Sequence, residues 1–112
     1  MSIHQDLADG RWFTLTLSEQ LGNIGSEISR SINWQARQSK EGMTHALDRA
    51  LELFDLTLAD IRWRGRYKEI RRAREVVCDF FYGDNAFHST ATSLQNYFDA
   101  FALAARKNKD DT

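Results

Sequence analysis

The feature of the sequence most able to do chemistry is a run of cations. Seven of the 15 basic residues lie within thirteen consecutive positions, 62–74, beside one acidic residue. This segment carries a net charge of +6, and because the whole chain carries −1, the remainder carries −7. Guanidinium and ammonium groups bind phosphate oxygens, and each neutralised phosphate releases counterions. RNA and DNA are therefore candidate ligands of this segment.

Four of these cations share one face of a predicted helix, at about 100° per residue, and are turned away from its apolar positions. They are Arg64, Lys68, Arg71 and Arg72, which we call the basic face. Three environments would suit such a face: the phosphates of a nucleic acid, carboxylates of a neighbouring helix or subunit, or solvent alone. The carboxylates considered are Glu41, Asp48, Glu52 and Asp55. Arg74 falls on the apolar face, which favours a paired and buried guanidinium.

Residues for catalysis or metal binding are sparse. The three histidines, His4, His45 and His88, are scattered, and no Glu-x-x-His motif of a di-metal helical bundle is present. No histidine lies at a spacing from Cys78 that would indicate a catalytic pair, so we interpret Cys78 as a small buried hydrophobe. The sequence has no nucleophile elbow, no phosphate loop and no dinucleotide fingerprint. It therefore predicts no enzyme, no metal site and no cofactor.

The elements that position these residues are predicted to be helices in a single domain. The chain has 112 residues, no proline and six glycines, which removes most of the turns that an all-β protein needs. Apolar residues recur every three or four positions in four stretches, the first over about Leu17 to Gln38. Short connections between helices of similar length predict an all-α, up-down-up-down antiparallel four-helix bundle. We expect loose polar tails over about 1–12 and 107–112.

Helix ends and small residues add detail to this prediction. Candidate N-caps precede three of the helices, at Thr14 or Thr16, at Ser39, and at Ser89, Thr90 or Thr92. The segment Gly83-Asp84-Asn85 is expected to end the third helix with residues that tolerate positive φ. A strip of small residues flanks the first apolar face and predicts either close helix packing or a site where a ligand meets backbone. The strip comprises Gly22, Gly25, Ser26 and Ser29.

Five large apolar residues fall outside the predicted core faces, and they indicate a surface for self-association. They are Trp34, Leu53, Leu56, Phe80 and Leu103. Large apolar side chains outside a core are typical of surfaces that another copy covers. The alternative is that the helical faces are wider than a simple wheel suggests and bury these residues within the monomer. We expect a homo-oligomer.

Three segments of the sequence resemble a family. They are LSEQLGNIGSEISRSI at 17–32, WRGRYKEIRRAREVVCDFFYGDN at 63–85 and LQNYFDAFALAAR at 94–106. Their layout resembles the small bacterial four-helix-bundle proteins grouped with the 23S ribosomal RNA intervening-sequence proteins and the accessory proteins of diversity-generating retroelements. The resemblance implies a pentameric ring of bundles, basic surfaces that contact nucleic acid, and no enzymatic activity.

Two further expectations concern location and role. No apolar run approaches the ~20 residues of a membrane span, and the polar, acidic start MSIHQDLADG is unlike a signal peptide. We expect a cytoplasmic protein without a membrane partner. The hypothesis with most support is a non-catalytic oligomeric assembly or adaptor module that presents a basic surface to RNA or DNA. The alternative is a protein-protein interaction scaffold that binds no nucleic acid.

Overall fold

The computed structural model describes residues 10–110 of the chain, and the side chains of residues 10–107. Within this range the fold is all-α, without strands, and its radius of gyration is 13.9 Å. The α-helices are α1 (Leu17–Ala36), α2 (Lys40–Leu58), α3 (Tyr67–Tyr82) and α4 (Ala91–Asp110). Two 3₁₀ helices precede α1 and α3, at Arg11–Thr14 and Ile61–Arg66. Among the described helices, none is long and apolar enough to cross a membrane.

Side-chain caps fix where three helices begin, and each was among the predicted caps. The Thr16 Oγ1 accepts a hydrogen bond from the Glu19 N–H at 3.1 Å, and the Glu19 carboxylate accepts from the Thr16 N–H at 3.0 Å. Ser39 caps α2, with its Oγ 3.2 Å from the Gly42 nitrogen. Thr90 Oγ1 accepts from the Ser93 N–H at the start of α4. Each cap satisfies an N–H group that has no partner inside the helix.

The core is built around α1, which packs along both α2 and α4. Its apolar face includes Ile24 and Ile28, both fully buried. Phe54 of α2, Val77 of α3 and Phe98 of α4 pack into the same buried cluster. Apolar residues from all four helices therefore form one continuous core, the arrangement typical of a single domain.

The small-residue strip of α1 is a site of close helix packing. A Cβ atom added to Gly25 lies 2.4 Å from the Phe98 Cβ, and one added to Gly22 lies 3.1 Å from the Ala102 Cα. Only a hydrogen atom fits at Gly25, so glycine lets the α4 backbone approach α1. The helix-packing interpretation of these glycines is confirmed.

Regular structure extends into both segments that were predicted as tails. Trp12 lies in the first 3₁₀ helix with 1% of its surface exposed, and its indole Nε1 donates to the Thr57 Oγ1 at 3.0 Å. At the other end α4 continues to Asp110. Trp12 therefore belongs to the fold, and α4 includes 107–110, while 1–9 and 111–112 lie outside the described residues. A lone tryptophan without an apolar period gives no sequence signal of burial.

The start of α3 differs from what the apolar pattern indicates. The helical spacing of apolar residues in the third stretch begins at Trp63, but Ile61–Arg66 forms a separate 3₁₀ helix with a non-helical Trp63, and α3 begins at Tyr67. At its other end α3 stops before Gly83, as expected. Within the predicted segment Asn85 has a positive φ of 53°, whereas Gly83 has a φ of −97°, and His88 just beyond the segment also has a φ of 53°.

Candidate nucleic-acid interface

Three of the seven cations of segment 62–74 form ion pairs with carboxylates of the same chain. The Arg62 Nη2 lies 2.7 Å from the Asp60 Oδ2, and the Arg66 Nε lies 2.8 Å from the Glu69 Oε2. Arg74 pairs with Asp55 at 3.1 Å, across α3 and α2. Arg74 is thus paired as predicted, although a third of its side chain stays exposed rather than buried. These ion pairs neutralise the cations at both ends of segment 62–74.

The remaining four cations are the basic face, and all four are exposed. Within the described part of the chain, none has a carboxylate oxygen within 4.0 Å. Asp55, one of the carboxylates expected to pair with them, is bound to Arg74 instead. The structure therefore gives no support to pairing of the basic face inside the monomer. Phosphates, solvent and carboxylates outside the described residues, those of another subunit included, remain as its candidate partners.

Helix α3 brings three members of the basic face together. Lys68, Arg71 and Arg72 line one shallow surface, which Glu69 and Glu75 also border. Arg64 precedes them in the 3₁₀ helix and does not line this surface. The Arg72 guanidinium lies 4.4 Å from the centre of the Phe87 ring, a cation–π contact that leaves its N–H groups at the rim of the surface.

A buried polar network, which we call the junction network, holds the segment that leads into α3. Gln20 of α1 is fully buried, and its Nε2 donates to the Trp12 carbonyl at 2.9 Å and to Asp60 at 3.2 Å. Its Oε1 accepts from the Trp63 indole N–H at 2.8 Å. Asp60, 3% exposed, also accepts from the backbone N–H and the guanidinium of Arg62. The 3₁₀ helix that carries Arg64 is thus tied to α1.

The charge of Asp60 is stabilised within this network. Hydrogen bonds from the Arg62 guanidinium lower the pKa of the Asp60 carboxyl below its usual value of 3.8, and burial opposes this shift only in part. Hydrogen bonds from the Arg62 backbone and from Gln20 act in the same direction. Sequence reasoning did not find the junction network, because Gln20 and Asp60 are forty residues apart and lie in no shared motif.

An apolar cleft of about 370 Å³ opens between α3 and α4, beside the basic face. Ala73 and Val76 of α3 and Leu94 and Phe98 of α4 line its apolar part. Tyr97 also lines the cleft, and burial raises the pKa of its hydroxyl, with Glu69 acting in the same direction and Arg66 against it. Tyr97 is therefore a neutral hydrogen-bonding group at physiological pH.

The residues considered for catalysis do not form a constellation. Among the described side chains, residues 10–107, no group of three or more His, Cys, Asp or Glu could hold a metal ion. Cys78 is half-buried, and burial raises the pKa of its thiol, although Arg74 opposes this shift. A thiol held in its protonated form is a weak nucleophile. His4 lies outside the described residues.

The five candidate interface residues have different surroundings. Leu53 is 3% exposed and belongs to the core, so the monomer already buries it and its place at an interface was wrong. Leu56 and Phe80 are half-buried against the core. Trp34 is 40% exposed and packs on Gly42, while the Arg37 guanidinium lies 5.6 Å from its ring centre. Leu103 is 62% exposed on α4.

Comparisons of the chain with protein-family models, with curated proteins and with solved structures found no match. The resemblance to the intervening-sequence and retroelement accessory proteins therefore stays a hypothesis that rests on the three segments quoted above.

Proposed function

We propose that the protein is a non-catalytic helical module that binds the phosphate backbone of RNA or DNA through Arg64, Lys68, Arg71 and Arg72. One observation carries this proposal. Within the described residues, carboxylates of the chain neutralise Arg62, Arg66 and Arg74, and the four cations between them are exposed without an ion pair. An anionic ligand that the chain does not supply would complete this face.

The exposed cations of α3 lower the stability of the fold, and this cost supports the same proposal. Lys68 lies in the first turn of α3, where a cation opposes the helix dipole at a cost of ~0.3 to 1 kcal/mol. Lys68, Arg71 and Arg72 also repel one another on one surface. Bound phosphates would relieve both effects, and release of their counterions would add salt-dependent affinity. Because backbone phosphates are common to every sequence, we expect affinity without base-pair specificity from this face.

The experiment is a salt titration of binding to labelled single-stranded RNA and duplex DNA, followed by fluorescence anisotropy. If all four cations neutralise phosphates, the slope of log K against log salt is about −2.8 for single strands and −3.6 for duplex DNA. The double variant K68Q/R71Q is expected to lower the magnitude of that slope by about 1.4 or 1.8 respectively, without lowering the melting temperature.

A matched control removes the same charge elsewhere. Arg37 and Lys40 are exposed at the α1–α2 turn, and Lys40 lies about 27 Å along the α2 axis from the end that leads to the basic face. R37Q/K40Q should leave the slope nearly unchanged. No binding at ~50 mM salt by the parent protein, or equal weakening by both double variants, would contradict the proposal. Destabilisation by K68Q/R71Q instead would favour carboxylates of another subunit.

We further propose that the four helices form an up-down-up-down antiparallel bundle that assembles into a homo-oligomer in the cytoplasm. The short connections after α1, α2 and α3 favour antiparallel neighbours. Leu103, the most exposed of the five candidate interface residues, favours assembly. The pentamer implied by the family resemblance is the specific form to look for. If nucleic acid does not bind, the exposed surface that includes Leu103 favours the alternative function, a protein-protein interaction scaffold.

Assembly is tested by light scattering on size-separated protein. Leu103→Lys should dissociate the oligomer with its helicity retained, because a charge in an apolar interface is strongly unfavourable. Leu53→Lys is the contrasting variant, since Leu53 lies in the core and its replacement should unfold the monomer. A parent protein that stays monomeric at high concentration would contradict this part of the proposal.

A further inference from the structure

The cleft between α3 and α4 lies directly beside the basic face, and the two share a residue. Arg72 lines the cleft and also the surface formed with Lys68 and Arg71. The cleft exists because α4 is drawn onto α1 by the glycine contact with Phe98, whereas α3 packs mainly on α2 and on the second 3₁₀ helix. A ligand that enters the cleft therefore comes within reach of the exposed cations at its rim.

The shape and lining of the cleft suit a flat, mostly apolar group. Its volume of about 370 Å³ is within the range of small-ligand sites. Its apolar part is formed by Val76, Leu94 and Phe98. Tyr97, 39% exposed, offers an aromatic ring whose position is fixed by edge-on contacts with Phe98 and Phe101, at centroid distances of 5.0 and 5.3 Å.

The rim of the cleft is polar and favours an anion. The Arg72 guanidinium is supported by the Phe87 ring and has no carboxylate partner among the described side chains. Phe87 is in turn held by its backbone N–H, which donates to Asp79 at 3.1 Å. Among the described residues, Glu69 is the carboxylate that lines the cleft, and its ion pair with Arg66 offsets its repulsion of an incoming anion. Glu69 and Glu75 both border the adjoining surface, and against its three cations they reduce the positive charge without cancelling it.

A ligand with a flat apolar ring joined to a phosphate fits these two neighbouring surfaces. We propose that the protein binds single-stranded nucleic acid, with one unpaired base in the α3–α4 cleft against Tyr97 and the adjoining phosphates on Arg72, Arg71 and Lys68. This inference rests on the proposed function, because it requires the basic face to bind phosphates. A duplex keeps its bases stacked inside the helix, so it has no base to place in the cleft.

The prediction that follows is a preference for single strands. Duplex DNA has the higher charge density and the steeper salt dependence, so a purely electrostatic face would favour the duplex. Stacking on one aromatic side chain adds affinity for any base, and its loss on substitution by alanine lowers affinity about 5- to 150-fold. The base type should matter little, since every base has a π-face.

The experiment compares four ligands of about ten nucleotides on the parent protein: oligothymidylate, oligouridylate, an abasic deoxyribose-phosphate strand and a duplex. We expect both base-bearing single strands to bind more tightly than the abasic strand and the duplex. Because this comparison needs no variant, it does not depend on the folding of one. Similar affinity for oligothymidylate and oligouridylate supports a site that reads base and phosphate, and not the 2′-hydroxyl.

A pair of variants tests the role of Tyr97. Tyr97→Ala is expected to weaken oligothymidylate binding 5- to 150-fold and to leave abasic-strand binding unchanged, whereas Tyr97→Phe keeps the ring and the affinity. Equal binding of base-bearing and abasic strands, or tighter binding of the duplex, overturns the cleft inference. If K68Q/R71Q still weakens binding in that case, the proposed function stands.

Two other outcomes of these experiments lead to different conclusions. No binding of any of the four ligands at ~50 mM salt overturns the proposed function and this inference together. If Tyr97→Ala changes the oligomeric state and leaves oligothymidylate affinity intact, a second copy of the chain occupies the cleft, and the inference is overturned.

Discussion

The junction network permits a quantitative test at Asp60. Its carboxylate is 3% exposed and accepts hydrogen bonds from Gln20 Nε2 and from the backbone and guanidinium of Arg62. In Asp60→Asn one carboxylate oxygen becomes an NH₂ group, which is a hydrogen-bond donor. At the Oδ2 position this donor faces the Arg62 guanidinium and the Gln20 side-chain amide, and at the Oδ1 position it faces the Arg62 backbone N–H. Hydrogen bonds to a charged group contribute ~1.5 to 3 kcal/mol. Arg62 is 39% exposed and water can solvate it, which keeps the loss below the ~3 to 5 kcal/mol of a fully buried pair.

We therefore expect Asp60→Asn to lower the free energy of unfolding by about 2 to 3 kcal/mol at pH 7. Urea unfolding followed by far-UV circular dichroism should show this as a midpoint lowered by roughly 1 M. The matched control is Asp55→Asn, because the Asp55 carboxylate is 62% exposed and bonded only to Arg74 among the pairs of the described residues. An exposed pair of this kind contributes ~0 to 1 kcal/mol.

The pH dependence gives a second test of the same reasoning. The pKa of Asp60 is lowered in the folded protein, so its charge stabilises the fold at pH values above 3.8, the usual value. That contribution is lost as the pH falls through the lower, folded-state pKa. The difference between parent and Asp60→Asn should therefore shrink under acidic conditions. A difference below ~0.5 kcal/mol at pH 7, or one that does not change on acidification, would refute the reasoning.

Three further substitutions are checked by the same urea unfolding. Gln38→Gly should raise stability by about 1 kcal/mol, because Gln38 holds a φ of 60° just after α1, where glycine is unstrained; no gain would contradict this. Gly25→Ala should lower the free energy of unfolding by ~1 to 3 kcal/mol, because the added methyl group overlaps Phe98. Gly65→Ala is the control and should leave stability nearly unchanged, because a methyl group at Gly65 has no described atom within 4 Å. Phe54→Ala should cost ~3 to 5 kcal/mol from the cavity it leaves, and a loss below ~0.5 kcal/mol would mean that it is not a core residue.

The features that the sequence predicted well are those that depend on nearby residues. The Thr16 cap and the Glu19 N–H group that it binds are three positions apart, and the apolar period of α1 is visible within two turns. Such interactions form wherever the backbone is helical, so their residues reveal them without knowledge of the rest of the fold.

The features that the sequence did not predict depend on contacts between distant segments. Trp12 is buried because Thr57, forty-five positions later, meets its indole N–H. Leu53 was placed at an interface from the helical wheel of α2 alone. In the fold α1, α3 and both 3₁₀ helices contact α2, which widens its buried face and brings Leu53 into the core. A wheel drawn for one helix does not contain that information.

The basic segment shows how one stretch of chain contributes to fold and to the proposed function. Arg62 is bound to Asp60, and through it to Gln20, so the start of the segment is fixed against α1. Arg74 fixes the other end against Asp55 of α2. With both ends held, the first two turns of α3 have a defined orientation, and it turns Lys68 and Arg71 outward while Ile70 and Ala73 face the core. The paired cations thus position the unpaired ones, and substitution of Arg62 or Arg74 should affect binding through the orientation of α3.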